Sequence, residues 1–321
     1  MKKRKLQSII IVAFLKGSSA MNSRQLQSAI LLSHIRNFSQ VAEHLNITQP
    51  ALSKQISTLE GELGVRLFDR STTPLTLTPA GESFVRDARE LLYRQDQLLR
   101  SMEEFRSGDH GRLVIGISPF RCLYLIPEVI AALQQKFPGL RVILKETGSA
   151  QLHKGAAEGE FDLAIVNLPA DEAMLDIHPL APERIVLAVP QALASAIPTE
   201  AAPSGELYPQ ADLANCPDIP FVVLGQGQEL RQLFDKLCVT AGLRPKIAVE
   251  AVGITTAWAL VRSGIGAAIL PAQFAEHQLF REGTVLFSLK HDSPVRQPVV
   301  VTRKGQYLSE YAKYALRLLT E

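Results

Sequence analysis

Phe38-Ser39-Gln40-Val41-Ala42-Glu43-His44-Leu45-Asn46-Ile47-Thr48-Gln49-Pro50-Ala51-Leu52-Ser53-Lys54-Gln55-Ile56 carries two helical patterns split by a short polar break. Phe38, Val41, Ala42 and Leu45 recur at the spacing of one helix face, as do Leu26, Ile30, Leu31 and Ile35 before them. Asn46-Ile47-Thr48 interrupts the pattern. Thr48 can cap a new helix, and Pro50 sits in its first turn, where a missing N–H costs nothing. That helix is predicted from about Gln49 to Leu63, burying Ala51 or Leu52, then Ile56 and Leu59, with Leu63 at its end. Gln49, Ser53, Lys54 and Ser57 are left pointing outward. Gln and Ser can bond base edges or phosphates, Lys can pair with phosphate, and small side chains let a helix lie close in a major groove. Helix, tight turn and second helix with such a face is helix-turn-helix geometry, although a structural helix with a solvated polar face shows the same pattern.

The residues that follow add a wing. Gly64-Val65-Arg66-Leu67-Phe68-Asp69-Arg70 is expected to bury Val65, Leu67 and Phe68 and to expose Arg66 and Arg70. Ser71-Thr72-Thr73-Pro74 then turns the chain into Leu75-Thr76-Leu77-Thr78, a short hairpin whose basic residues would sit over phosphate or the minor groove. The stretch from Phe38 to Ile56, with Leu59-Glu60-Gly61-Glu62-Leu63-Gly64 to Arg70 and Leu77-Thr78-Pro79-Ala80-Gly81, resembles the winged helix-turn-helix of LysR-type transcriptional regulators. Gln40, Gln49, Pro50, Ala51, Ser53, Lys54, Ser57, Arg66, Arg70 and Thr72 form the candidate set for contacts with double-stranded DNA.

Upstream, Met1 to Ala20 reads KKRK, an apolar run from Ile9 to Leu15, and then Lys16-Gly-Ser-Ser-Ala. The outline is that of a secretory signal peptide, with an apolar run far below the ~18 residues needed to span a bilayer. We read it instead as an extension from an upstream start or from cloning, because in the family the resemblance names, the chain starts where Met21 lies. The 321 residues suit two or three modules, and 46% hydrophobic with 21% charged residues is ordinary globular usage. Cys122, Cys216 and Cys238, without CxxC spacing, fit a reducing compartment, so a cytoplasmic protein is expected. The net charge of +2 is more than supplied by Lys2, Lys3, Arg4, Lys5 and Lys16, so the rest of the chain is slightly acidic. Any DNA binding must then rest on a local constellation rather than on bulk charge.

Downstream of the winged helix-turn-helix domain (residues 21–79), residues 80–108 are expected to form a long linker helix. Phe84, Leu91, Leu98 and Phe105 fall seven apart, with Ala88, Gln95 and Met102 four residues after the first three. Such a seam lets two helices pack along each other, and packing on its own domain is the other use of an apolar stripe. The resemblance implies a homodimer, commonly assembled into a homotetramer.

Residues 109–321 alternate strand and helix. Strands are predicted at Arg112–Ser118, Arg141–Glu146, Asp162–Val166, Arg184–Val189, Phe221–Leu224, Lys246–Glu250 and Ala267–Leu270, and late strands near Val285–Leu289 and Val299–Val301 are expected to return, with the final helix, to the first lobe. Helices are predicted at Ile126–Phe137, Ser149–Gly159, Glu229–Ala241, Gly253–Ser263 and Tyr307–Leu319. The alternation predicts open parallel sheets in two lobes, lobe I from 109–167 and 272–321 and lobe II from 168–271. Leu113-Val-Ile-Gly-Ile, Ile126-Pro127, Phe137-Pro138, Gly159 to Ile165 and Leu260 to Gly266 through Leu270-Pro271 are similar to the LysR-type effector domain, an α/β fold of periplasmic-binding-protein type.

In such sheets ligands bind beyond the carboxyl ends of the strands, at helix N-termini. The candidate small-molecule effector site is therefore Ser118, Phe120, Arg121, Ser149, Asn167, Gly225, Gly253 and Ile254. An anionic effector is expected there. Arg121 is either a cation that offsets its charge or an exposed structural arginine. Ser149 fits the hydroxyl-bearing effector position the resemblance implies, while Phe120 stands where that family commonly has Ser or Thr. No dinucleotide fingerprint, GxxxxGK[ST] loop, HExxH, clustered Cys/His set or GxSxG elbow occurs, so no cofactor, metal site or catalytic residue is expected. The sequence thus reads as a DNA-binding regulator controlled by a small molecule, with DNA, effector and further copies of itself as partners and no membrane. An exported solute-binding protein is the alternative.

Overall fold

A computed structural model describes residues 21–107, 111–202, 207–216, 219–273, 282–290 and 295–321, without the side chains of residues 100 and 103–107. The extension read at residues 1–20 lies outside the described residues. The chain divides into two compact units between Glu103 and Glu104.

In the first unit, helix α1 (Ser23–Ile35) opens on a reciprocal cap. Asn22 Oδ1 accepts from the Gln25 N–H at 3.0 Å, and Gln25 Oε1 accepts from the Asn22 N–H at 2.9 Å. Helix α2 (Phe38–His44) is capped by Asn37. Asn46, in the left-handed region at φ 54°, makes the tight turn, and Thr48 caps α3 (Gln49–Leu63). The three helices close on Leu32, Val41, Leu52, Ile56 and Leu59.

Gly64 (φ 70°) ends α3 and turns the chain so that Leu67 and Phe68 point inward. Val65, expected to be buried, faces solvent on the outside of that turn at 48% exposure, and Leu63 is exposed too. Strands β1 (Phe68–Asp69) and β2 (Thr76–Leu77) form the antiparallel wing, with Phe68 opposite Leu77. Glu60 fastens it: its carboxylate accepts from the Leu67 and Phe68 N–H groups at 2.8 and 3.2 Å and pairs with Arg70 at 3.1 Å.

Helix α4 (Pro79–Ser107) begins against this module. Phe84 is half-buried in its core beside Val85 and Ala88, so it belongs to the module rather than to a free seam. Leu91 and Leu98 remain exposed at 52% and 61%, with Leu99 and Met102 beside them. The Phe105 side chain lies outside the described residues.

Among the described residues the second unit holds a five-stranded sheet, a six-stranded sheet and a separate parallel pair of strands. In the first, β3 (Arg112–Ile117) lies between β4 (Arg141–Glu146) and β5 (Leu163–Asn167), all parallel. Strand β15 (Pro298–Arg303) then pairs antiparallel with β5 and with β6 (Leu175–Pro179), giving the order β4-β3-β5-β15-β6. Leu113, Ile115 and Ile117 face helices α5 (Pro119–Lys136) and α10 (Glu310–Thr320), while Val114 faces α6 (Ser149–Glu158). Alternate side chains of one strand thus feed two cores.

The second sheet centres on β7 (Glu183–Pro190), flanked antiparallel by β12 (Ala268–Pro271) and β13 (Thr284–Leu289). The short strands β8 (Thr199–Glu200) and β9 (Gln210–Ala211) extend it beyond β13, and β14 (Val295–Arg296) also pairs with β7. The parallel pair β10 (Pro220–Leu224) and β11 (Lys246–Ala251) carries helices α8 (Glu229–Ala241) and α9 (Ile254–Arg262) around the fully buried Trp258. A four-residue helix, α7 (Gln191–Ala194), follows β7.

These pairings correct three expectations. The sheets are mixed rather than parallel, because the late strands return antiparallel. Strand β6 lies in the first lobe and β13 in the second, so the lobe boundaries at 168 and 272 give way to crossings between Pro179 and Glu183 and between Leu289 and Pro298. Helix α5 starts at Pro119 rather than Ile126, because Ser118 caps it and Pro127 sits inside it.

Helix α4 enters the winged module so closely that a Cβ on Gly81 would lie 2.0 Å from the Leu67 carbonyl oxygen. Gly81→Ala should therefore destabilise the first unit by at least the ~1–3 kcal/mol of an overpacked core, read as a lower denaturant midpoint. An unchanged midpoint would refute this packing.

Candidate functional site

Two surfaces carry the residues singled out from the sequence. On the first unit, Gln49, Pro50, Ala51, Lys54 and Ser57 are exposed on α3 and Ser53 is half-buried. Ala51 was one of two options for the buried face, and Leu52 takes that place. Gln40, Arg66, Arg70 and Thr72 are exposed as well. Arg70 is drawn back onto α3: its Nη2 donates to Ser57 Oγ and pairs with Glu60, each at 3.1 Å, and its guanidinium lies over the Phe38 ring. Thr72 Oγ1 bonds the Asp69 carbonyl and Thr76 Oγ1 within the wing turn. Lys54 and Arg66 are exposed cations on this surface.

In the second unit a cavity of about 740 Å³ opens where strand ends and helix N-termini of both lobes converge. Seven of the eight expected effector residues line it: Ser118, Phe120, Arg121, Ser149, Asn167, Gly253 and Ile254. Gly225 does not; its N–H donates to the Ala251 carbonyl and holds β10 to β11, leaving Leu224 and Gln226 on the wall.

Arg121, Asn167 and Arg296 on the cavity floor belong to an ionic network that continues behind it to Glu183 and Tyr124. Arg121, 4% exposed, grips Glu183 with Nε to Oε1 at 2.7 Å and Nη2 to Oε2 at 2.9 Å, and Nη2 also donates to Asn167 Oδ1. The Tyr124 hydroxyl donates to Glu183 Oε1 at 2.8 Å, and Arg296 Nη2 to Oε2 at 2.6 Å. Arg121 is thus neither an exposed structural arginine nor a cation free for a ligand, because its charge is spent on Glu183. Burial raises the Glu183 carboxyl, but the hydrogen bond and charge of Arg121, with Arg296, outweigh it and hold it below the ordinary carboxylate value. Burial and the nearby Glu183 push the Tyr124 phenol upward.

Above this floor, Glu229 opens α8 from the second lobe and reaches the first. Its Oε1 accepts from Ser149 Oγ at 2.7 Å, and its Oε2 accepts from Asn167 Nδ2 with Arg296 Nη1 3.8 Å away. Phe120, on a first-lobe helix, is buried in the second-lobe core with its ring 5.3 Å from that of Tyr124. Glu183, Tyr124, Glu229 and Arg296 had no signal in the sequence pattern. Glu229 reads as an ordinary first-turn acid, and Glu183 and Arg296 lie at the lobe crossings. Among the described residues no group of three or more His, Cys, Asp or Glu is placed to hold a metal ion, and no helix is long and apolar enough to cross a membrane.

Because the Glu183 carboxyl is lowered on folding, its contribution is present above the unfolded value of about 4.3 and is lost as pH falls through the folded value. Glu183→Gln should cost about 3–5 kcal/mol at neutral pH, by leaving Arg121 and Arg296 without their counter-charge, and should flatten the loss of stability below about pH 4.3. Urea unfolding from pH 7 to pH 3 checks both signs.

Known proteins agree with this architecture. Residues 23–82 match the family described as bacterial regulatory helix-turn-helix protein, lysR family, and residues 106–321 match the LysR substrate binding domain. The HTH-type transcriptional regulator YcgK of Bacillus subtilis (strain 168) is 33% identical over 309 residues, 94% of each chain. The DNA-binding transcriptional dual regulator OxyR of Escherichia coli (strain K12) is 32% identical over 299 residues, 92% of this chain and 94% of its own. Full-length CbnR complexed with its target DNA has the same fold, with a TM-score of 0.60 at 22% identity over 93% of this chain and 99% of that one. None of this supports an exported solute-binding protein. The chain belongs to the LysR family of DNA-binding transcriptional regulators.

Proposed function

We propose that this regulator reads a DNA sequence with the outer face of α3, assisted by the wing, as a homo-oligomer in the cytoplasm, and that a small molecule in the 740 Å³ cavity controls it without any cofactor. The observation that carries the DNA reading is the α3 face itself. Leu52, Ile56 and Leu59 are fully buried, which leaves Gln49, Lys54 and Ser57 exposed with Ser53 beside them and Arg66 at the base of the wing. Gln49 and Ser53 are suited to base edges, Pro50 and Ala51 to close approach, and Lys54, Arg66, Arg70 and Thr72 to phosphate. Arg70, braced by Ser57 and Glu60, presents a fixed rather than a mobile cation. Gln40, exposed on α2, supports from the helix that crosses the backbone.

A homodimer follows from Leu91 and Leu98, seven apart and more than half exposed, with Leu99 and Met102 alongside. Water-exposed leucines at that spacing are what a second copy of the helix would cover. Among the described residues no constellation points to catalysis. Among the relatives is a protein named hydrogen peroxide-inducible genes activator, of Escherichia coli O6:H1, 32% identical. Here, however, burial pushes the Cys216 and Cys238 thiols up to about 11 and raises the Cys122 thiol as well, away from the thiolate needed to attack peroxide, which favours a bound effector over a thiol switch.

Quantitative binding to operator and random duplexes tests the first part. Gln49→Ala should cost ~1–3 kcal/mol at the base it contacts and relax preference there, whereas Lys54→Ala should weaken all sequences alike and lower the salt slope by about one unit. Equal binding of operator and random DNA by the unmutated protein would sink the reading. For assembly, Leu91→Asp with Leu98→Asp should give monomers in sedimentation with a native circular dichroism spectrum, since carboxylates buried in the seam would lack partners. An unchanged oligomer would place the interface elsewhere.

A further inference from the structure

We propose that the cavity takes a ligand whose recognised group is a cationic nitrogen, an ammonium or amidinium, and turns carboxylates away, because the carboxylate seat is already filled by the chain's own Glu229. The proposal rests on reading this cavity as the effector site.

The seat is built from first-lobe donors. Ser149 opens α6 behind Gly148, which gives that helix no side-chain cap, and Asn167 ends β5. A hydroxyl, a carboxamide N–H and a helix N-terminus together suit an anion. Glu229 arrives there from the other lobe: Ser149 Oγ donates to one of its oxygens at 2.7 Å and Asn167 Nδ2 to the other.

Charge then decides what else can enter. Arg121 and Arg296 are both turned onto Glu183, with side chains only 4% and 15% exposed. The two arginines and two glutamates balance: Arg121 and Arg296 reach the cavity wall but turn their guanidinium groups back onto the buried Glu183, with Arg296 Nε buried and unpartnered among the described residues, while the Glu229 side chain stays 39% exposed at the wall. An incoming carboxylate meets a like charge at the place where its donors are already engaged. An incoming ammonium meets a carboxylate that offers about four acceptor positions, of which Ser149 and Asn167 use two. Phe120, Leu224, Val252 and Ile254 line the same cavity and give the body of such a ligand apolar surface.

Benzamidinium and benzoate test this as a matched pair, with the same ring and a planar head group of opposite charge. Calorimetry on the full chain should show benzamidinium binding at least tenfold more tightly than benzoate. Glu229→Gln, which keeps an acceptor for Ser149 and removes the charge, should abolish that preference. Glu229→Ala should gain binding of acetate, the missing side chain itself, and adding Ser149→Ala should remove it again. Benzoate binding as tightly as benzamidinium, no detectable benzamidinium binding, or no acetate gain in a folded Glu229→Ala protein would each overturn the proposal. Operator binding separates it from the reading beneath it. If the charge preference appears as stated but saturating benzamidinium leaves operator affinity unchanged, the ligand class stands and the cavity is not the effector site.

Discussion

Glu183 is the constraint on which the effector unit turns. Glu183 is 1% exposed, and its carboxylate takes hydrogen bonds from Arg121 and Tyr124, one turn apart on α5, and from Arg296 on β14 far along the chain. Glu183 and Arg296 face each other in the β7–β14 pair, which is where the chain passes between the lobes. A buried ion pair of this kind gives little net stability against an apolar replacement, since desolvation offsets most of the attraction, but breaking it by removing one partner is costly. Its value here is positional. Arg121 fixes the start of α5, Asn167 fixes the end of β5, and the crossings cannot slide without exposing an unpaired charge.

The first unit uses the same device on a smaller scale. Glu60 stands on α3 facing the wing and accepts two backbone N–H groups that the two-residue strand β1 could not satisfy alone. A hairpin this short has no independent stability, so its placement beside α3 depends on that carboxylate and on Leu67 and Phe68 in the core. Arg70 completes the arrangement by neutralising Glu60, which ties a cation on the face proposed to meet DNA to the same anchor that holds the fold.

Local pattern made much of this legible. Helix α8 runs over the residues its periodicity predicts, and β4 likewise, because each has an apolar face bounded by a charge or a glycine. Thr48 and Pro50 announced α3 before any contact was known. Strand β6, Leu-Asp-Ile-His-Pro, was not legible: it is short, half polar and followed by no helix. Nor was the partner of β13, since an apolar run announces a strand and not its neighbour. The seam on α4 was read as one repeat, yet the pattern cannot tell an apolar side chain that meets its own module, as Phe84 does, from ones left outside, as Leu91 and Leu98 are. The cavity floor was the least visible. Its charges come from Arg121, Glu183, Glu229 and Arg296, which are far apart in sequence and each unremarkable where it stands.

Seven of the eight cavity positions could still be anticipated because topology, not side-chain chemistry, puts strand ends and helix starts together. What topology does not supply is the sign of the site. A helix N-terminus with a serine reads as a place for an anion, and that inference is sound for α6 in isolation. The other lobe changes it by delivering Glu229 to the same serine. The link between lobes thus runs through the groups a ligand would touch. A ligand that binds the linked and unlinked arrangements equally would shift nothing, however tightly it bound. A ligand that competed with the Ser149–Glu229 bond, or strengthened it by pairing with Glu229, would act directly on a contact that links the two lobes, so under the proposed reading the same carboxylate would govern both which ligands enter and what their entry changes.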